Sequence, residues 1–169
     1  CSIGTVKLIV NESNDTPIID ENTISMTTNE DISSAINLST SVLDIEGDDL
    51  TFTIIDIPLN GLMYEDMDNL NQINLNHQLD GSIIYYVPDL NFNGDDSFSF
   101  SVTDGFSSTD AIYSITILPV NDNPVADEIL DIVQAQEDTS IEISLSASDV
   151  EHDILYFKIV DIPSNGIIT

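Results

Sequence analysis

The sequence predicts an all-β chain built from tandem Greek-key β-sandwich repeats of about 105–107 residues. Three observations predict it. Apolar residues alternate with Ser and Thr at a period of two. Glycine turns punctuate those runs. The chain also matches itself: Asn14-Asp15-x-Pro17 and Asn121-Asp122-x-Pro124 stand 107 positions apart.

Each run puts apolar side chains on one face of a strand and small hydroxyls on the other, as a half-buried antiparallel sheet requires. Leu50, Phe52 and Ile54 alternate with Thr51 and Thr53; Phe98, Phe100 and Val102 alternate with Ser97, Ser99 and Ser101; Ala111, Tyr113, Ile115 and Ile117 share a face. Turn signals fall at Gly47, Asn60-Gly61, Asp80-Gly81, Asn93-Gly94 and Asp104-Gly105. Together these predict strands near 22–28, 34–39, 50–57, 61–64, 82–87, 96–103 and 109–118. The least regular stretch, Tyr64 to Asp80, reads as an excursion at a sheet edge.

The self-match continues beyond the linkers. Thr5 to Val10 alternates like a strand and has its counterpart in Tyr113 to Leu118. Asn29-Glu30-Asp31 matches Gln136-Glu137-Asp138, and Leu38 to Ser41 matches Leu145 to Ser148. From there the spacing falls to 105, with Val42-Leu43 left over: Asp44 to Asp48 pairs with Asp149 to Asp153, and Ile55 to Gly61 with Val160 to Gly166. The expected organisation is a last strand of a preceding repeat over 1–13, a complete repeat over 14–120, and the first half of a following repeat over 121–169. That half alone would have an open sheet edge and an unfilled core. The chain therefore reads as an internal piece of a longer one.

Composition narrows function. The 169 residues are 41% hydrophobic, enough for a core, but hold 2 Lys and Arg against 31 Asp and Glu, a net charge of −29. Such a chain offers no positive footprint for nucleic acid or an anionic membrane, and no apolar run is long enough to span a bilayer. The single cysteine, Cys1, allows no internal disulfide. His77 and His152 lack Cys or His partners at zinc spacing. No carboxylate pair, phosphate loop or nucleophile triad stands apart, so the chain is expected not to be an enzyme.

The acidity suits a hard cation. Calcium takes six to eight oxygen ligands, and Asp44-x-Glu46-x-Asp48 and Asp149-x-Glu151-x-Asp153 aim carboxylates at alternate positions of a loop. Two carboxylates converging at about 5 Å repel by roughly 3 kcal/mol at an effective dielectric near 20, and with so few cations in the chain only a bound ion relieves it. The same residue types also suit solvated turns. Asp89, Asp95 and Asp96, around the Asn93-Gly94 turn, form a weaker candidate.

Glu30-Asp31, Asp44-x-Glu46-Gly47-Asp48-x-Leu50, Pro58-x-Asn60-Gly61, Tyr86-x-Pro88, Phe92-x-Gly94-x-Asp96-x-Phe98 and Val102-x-Asp104-Gly105 resemble the bacterial cadherin-like, Ig-like (VCBS-type) tandem repeat. The resemblance implies Ca²⁺ between successive domains. Glu30 resembles the early glutamate and Asn121, Asp122 and Asn123 the linker. Asp149 and Glu151 resemble the acidic pair of the next domain. Asp104 resembles the strand-end aspartate, which would face the upstream linker at Asn14 and Asp15 together with Asp44 and Glu46. Pro124 directly after Asn123 and the missing leading aspartate imply one or two ions per junction.

The expected function is a calcium-stiffened extracellular spacer or adhesion repeat of a large bacterial surface protein. Its expected partners are neighbouring repeats of the same chain and other surface proteins or glycans. The alternative is a carbohydrate-binding or accessory module of a secreted polysaccharide-degrading enzyme, with Tyr64 and Tyr85 as stacking residues. A further alternative is acidity as salt adaptation, with no metal.

Overall fold

The structure, a computed structural model, describes residues 4–9, 11, 13–127, 133–134 and 136–168. It separates into two compact units, Cys1–Pro119 and Val120–Thr169.

The first unit is a β-sandwich. Its strands are β1 (Ile18–Ile19), β2 (Ser25–Asn29), β3 (Ser34–Asn37), β4 (Val42–Leu43), β5 (Thr51–Asp56), β6 (Gly61–Tyr64), β7 (His77–Gln78), β8 (Ile83–Pro88), β9 (Gly94–Thr103) and β10 (Ser108–Leu118). One sheet runs β2-β10-β9-β5-β7 and the other β3-β8-β6, while β1 and β4 form a short antiparallel pair. Strand β2 lies parallel to β10, with Ser25 opposite Ser114 and Asn29 opposite Leu118. From β2 to β8 the chain passes back and forth between the sheets, and the β9–β10 hairpin closes the larger one. Every long strand falls where the period-two pattern predicts it.

The core is the meeting of the two inner faces. Phe52, Ile54, Phe98, Phe100 and Ile115 come from the larger sheet; Ile36, Ile84 and Tyr86 come from the smaller, and all are buried. Phe98 stacks on Tyr113 with ring centres 5.2 Å apart. The excursion after β6 is a loop that returns to the edge of the larger sheet as β7, and it drops Ile73 and Leu79 into the core. The Asp66 carboxylate closes its turn by accepting from the amides of Leu70 (3.0 Å) and Asn71 (2.8 Å). These amides, that of Leu70 foremost, hold its carboxyl below the ordinary range.

Turn residues from β6, β8 and β9 form one clasp. Asp96 accepts from the amides of Leu59 (3.1 Å), Asn60 (3.0 Å) and Ser97 (2.8 Å) and from the Tyr86 hydroxyl (2.9 Å). The Tyr86 ring lies against Gly61, where an added Cβ would sit 2.6 Å from a ring carbon. Burial, reinforced by the Asp96 carboxylate, pushes the Tyr86 hydroxyl far above its ordinary pKa.

Two local expectations change. Residues 4–9 are exposed and form no strand, because a lone alternating segment has no ladder to hold its backbone. The leftover pair in the self-match also moves. Val42 and Leu43 pair with Ile19 and Ile18 as Ala147 and Ser148 pair with Ala126 and Val125. The amide of Asp20 reaches the Ser41 carbonyl (2.9 Å) as that of Asp127 reaches Ser146 (3.0 Å). The two extra residues therefore lie inside the 3-10 turn Leu38–Ser41, where a tight turn absorbs a length change without shifting a ladder.

In the second unit the described pairing is β11 (Val125–Ala126) with β12 (Ala147–Ser148). Positions matching the first unit's core are open there. Leu145 and Ile159 are 44% and 51% exposed, whereas their counterparts Leu38 and Ile54 are each 0% exposed. Matching turn conformations recur: Asp31 and Asp138 both have φ of 58°, and His152 (φ 61°) takes the left-handed conformation of Gly47 (φ 78°).

Candidate metal centre

The linker residues of the first unit are fastened to two acidic loops. The loop after β9 turns through Gly105, whose φ of 93° suits glycine. The turn points the amides of Phe106 and Ser107 at Asp104 Oδ1, each at 2.7 Å. Asp104 Oδ2 accepts from the Ser107 hydroxyl and from Asn14 Nδ2, each at 2.9 Å. The Ser107 amide first and then the Asn14 side chain hold the Asp104 carboxyl well below the ordinary carboxylate range.

The second loop follows β4. Asp44 Oδ1 accepts from the amides of Gly47 (2.8 Å) and Asp48 (2.9 Å), which curls the loop. Glu46 Oε2 then receives the linker amide of Asp15 at 3.3 Å. The other Asp44 oxygen, Oδ2, is enclosed and has no hydrogen-bond partner. An enclosed carboxylate oxygen lacking a donor is costly, and a cation would satisfy it.

The second unit repeats this arrangement in its own residues. Glu151 Oε2 receives the amide of Asp122 at 3.2 Å, and Asp149 Oδ1 receives that of Asp153 at 3.0 Å. Asn121 donates to the Asp122 carbonyl at 2.7 Å, as Asn14 donates to Asp15 at 3.2 Å. Asp122 and Asp149 are half-buried, whereas Asn121, Asn123 and Glu151 are exposed.

Glu30 lies elsewhere in the first unit, by the end of β10. Its amide donates to the Leu118 carbonyl (3.0 Å), and Oε2 receives Asn93 Nδ2 at 3.4 Å. The residue is only 2% exposed, which is unusual for a carboxylate. Within the first unit, therefore, Glu46 and Asp104 reach the linker at Asp15 and Asn14, Asp44 curls the Glu46 loop, and Glu30 is apart from them. Among the described residues no three His, Cys, Asp or Glu side chains gather into a ready metal set. Amides and hydroxyls occupy several of the oxygens instead.

Ser107 was not singled out by sequence, although it supplies both an amide and a hydroxyl to Asp104; its place three residues after a strand-end Asp-Gly is the signal that points to it. Asp96, a weaker calcium candidate, has both oxygens engaged by donors of the clasp. His77 Nε2 lies 3.3 Å from Glu65 Oε1.

The first unit is thus an all-β sandwich whose linker residues are tied to acidic loops. Residues 14–117 match the bacterial Ig domain family, and the chain belongs to it. Domains of this family are typically extracellular and non-catalytic, and among the described residues no helix is long and apolar enough to cross a membrane. The chain is 36% identical over 139 residues to Extracellular matrix protein 3 of Lytechinus variegatus, a match over 76% of this chain and 4% of that protein. It thus spans a small fraction of the curated relative it matches. Among solved structures, it is similar to the endo-fucoidan hydrolase MfFcnA4 of glycoside hydrolase family 107 at 25% identity and a TM-score of 0.43, covering 69% of this chain and 16% of that one. The corresponding figures for MfFcnA9 of the same family are 23%, 0.41, 64% and 17%.

Proposed function

We propose that this chain is a non-catalytic spacer and adhesion segment of a larger extracellular, surface-associated protein, and that calcium stiffens its linkers. The observation that carries the reading is the doubled linker contact: Asp15 to Glu46 in one unit and Asp122 to Glu151 in the other. The same loop holds the linker by a glutamate both times, beside an aspartate curled by its own loop amides. Calcium at the first linker would draw on Asp44, Glu46, Asp104 and carbonyl or amide oxygens of Asn14 and Asp15. At the second it would draw on Asn121, Asp122, Asn123, Asp149 and Glu151. Glu30, enclosed beside Leu118, would be a ligand of its own within the first unit, apart from either set. Ion binding at a hundred-fold excess over its dissociation constant stabilises by about 2.7 kcal/mol.

Melting the chain in calcium, in magnesium and in chelator at matched ionic strength tests this. Calcium should raise the Tm by roughly 10 °C or more over chelator, and Asp44→Asn with Glu46→Gln should remove most of the gain. Equal shifts in calcium and in sodium at the same ionic strength would instead favour salt adaptation and sink the calcium reading.

A further inference from the structure

Asn-Gly occurs at Asn60-Gly61, Asn93-Gly94 and Asn165-Gly166. An asparagine before glycine is prone to cyclise, because the following amide nitrogen has no Cβ beside it to block the side-chain carbonyl. The three pairs stand in different surroundings. The Asn60 amide donates to Asp96 (3.0 Å), and its carbonyl accepts from the Asp89 amide (2.9 Å) and the Tyr86 hydroxyl (3.2 Å). Gly61 is buried against the Tyr86 ring. Gly94 opens β9 opposite Ile117 of β10, and the Asn93 side-chain amide donates to Glu30 at 3.4 Å. Asn165-Gly166 is the second unit's copy of Asn60-Gly61, in the same Pro-x-Asn-Gly motif. Both of its residues are exposed, in a bend outside any strand. A Cβ added to Gly166 would meet nothing nearer than Pro163 Cγ at 3.9 Å. Among the described residues the Gly166 amide has no hydrogen-bond partner.

We propose that Asn165-Gly166 is a site of spontaneous backbone modification, and that the clasp keeps its twin, Asn60-Gly61, inert. The Gly166 amide nitrogen gives its proton to solvent base and attacks Asn165 Cγ. The new N–Cγ bond closes a succinimide ring. The Cγ–Nδ2 bond breaks, and Nδ2 leaves as ammonia with a proton from solvent. Water then opens the ring at either carbonyl and leaves aspartate or isoaspartate. One water enters and one ammonia departs, with no oxidant or reductant. The backbone must turn so that side chain and next amide meet. At Asn60 the clasp holds both the amide and the carbonyl, so the ring closes only in the fraction of time that the clasp is open. Asn93 is restrained by the β9–β10 ladder that begins at Gly94. At Asn165 nothing has to open first.

Modification and clasp exclude one another. Isoaspartate adds a carbon to the main chain directly before the glycine, and Gly61 has no room to shift under the Tyr86 ring. A repeat that reacts before its core closes is therefore chemically marked as unable to form the clasp.

Incubating the full chain at mildly alkaline pH, native and in denaturant, tests this, with each pair followed by peptide mass mapping and by enzymatic methylation of isoaspartate. In the native chain Asn165 should convert at least about ten-fold faster than Asn60, and Asn93 should lag with Asn60, because native ladders open rarely. In denaturant the three rates should converge. Tyr86→Phe removes the hydroxyl that holds the Asn60 carbonyl. It should speed conversion at Asn60 several-fold and leave Asn165 unchanged, with a slow Asn93 as the mark that the sandwich is still folded. Asn60 reacting as fast as Asn165 in the native chain overturns the proposal. So does a rate order that persists in denaturant, which would assign the difference to the preceding residues Leu59 and Ser164. An Asn60 that stays equally slow in Tyr86→Phe overturns the protective role of the clasp.

Discussion

Gly61 shows how a turn signal becomes a tertiary constraint. In the sequence, Asn60-Gly61 reads as a turn and nothing more. In the structure, the glycine is required because the Tyr86 ring occupies the place of a side chain. The ring cannot swing aside, since its hydroxyl is held by Asp96 and by the Asn60 carbonyl (3.2 Å). Gly61→Ala should therefore destabilise the first unit by about 1–3 kcal/mol, the usual cost of overpacking a filled core. Gly81→Ala, with nothing within 4 Å of the added carbon, should change stability by less than about 0.5 kcal/mol. Thermal or denaturant melting of the two variants makes the comparison; equal effects would refute the clasp. The residue types of the clasp were legible as motifs. Their joint purpose was not, because Gly61, Tyr86 and Asp96 meet only when β6, β8 and β9 are brought together.

At the scale of elements, the linker and the β9–β10 turn act as a latch with a pH dependence of known sign. The Asp104 carboxyl lies below its ordinary value of 3.8 in the folded chain, so folding favours its charged form. The stability this contributes is present above that ordinary value and drains away as the pH falls below it. The part of the stability that Asp104 contributes should thus be lost under acid conditions, and Asp104→Asn should both lower stability at neutral pH and flatten the acid limb. Melting curves from pH 7 downward check this; an acid limb of unchanged slope in the variant would show that Asp104 is not its source. Strand positions were largely legible because period-two alternation survives wherever one face is buried, as in Phe98, Phe100 and Val102. It misled at residues 5–9, which alternate but have no ladder in their unit. On β6 and β8 both faces are apolar, so alternation gives way to a run in which Leu62, Tyr85 and Val87 point outward. The pairing of the linker with Glu46 was legible only through the resemblance, since no local pattern brings Asp15 to a loop thirty residues on.

For the whole molecule, the asymmetry between the units sets the order of stability. The first unit has a closed core shared by two sheets, so its contacts are satisfied internally. The second presents Ile143, Leu145, Phe157 and Ile159 to solvent at positions where the first unit buries Ile36, Leu38, Phe52 and Ile54. The sequence match sets these residues at the core positions of the first unit, while burial also depends on what lies against them. Without that cover the apolar side chains contribute little of the about 25 cal/mol per Å² that burial supplies. The main unfolding transition of the chain should therefore be that of the first unit. A chain of residues 14–119, which keeps Asn14 and Asp15 on their loops, should melt within a degree or two of the full one, the shift expected of less than about 0.5 kcal/mol in a domain of this size. Limited proteolysis of the full chain should cut first within residues 120–169 and leave that same core. A short chain that melts well below the full one, or early cleavage inside residues 14–119, would mean instead that the second unit stabilises the first.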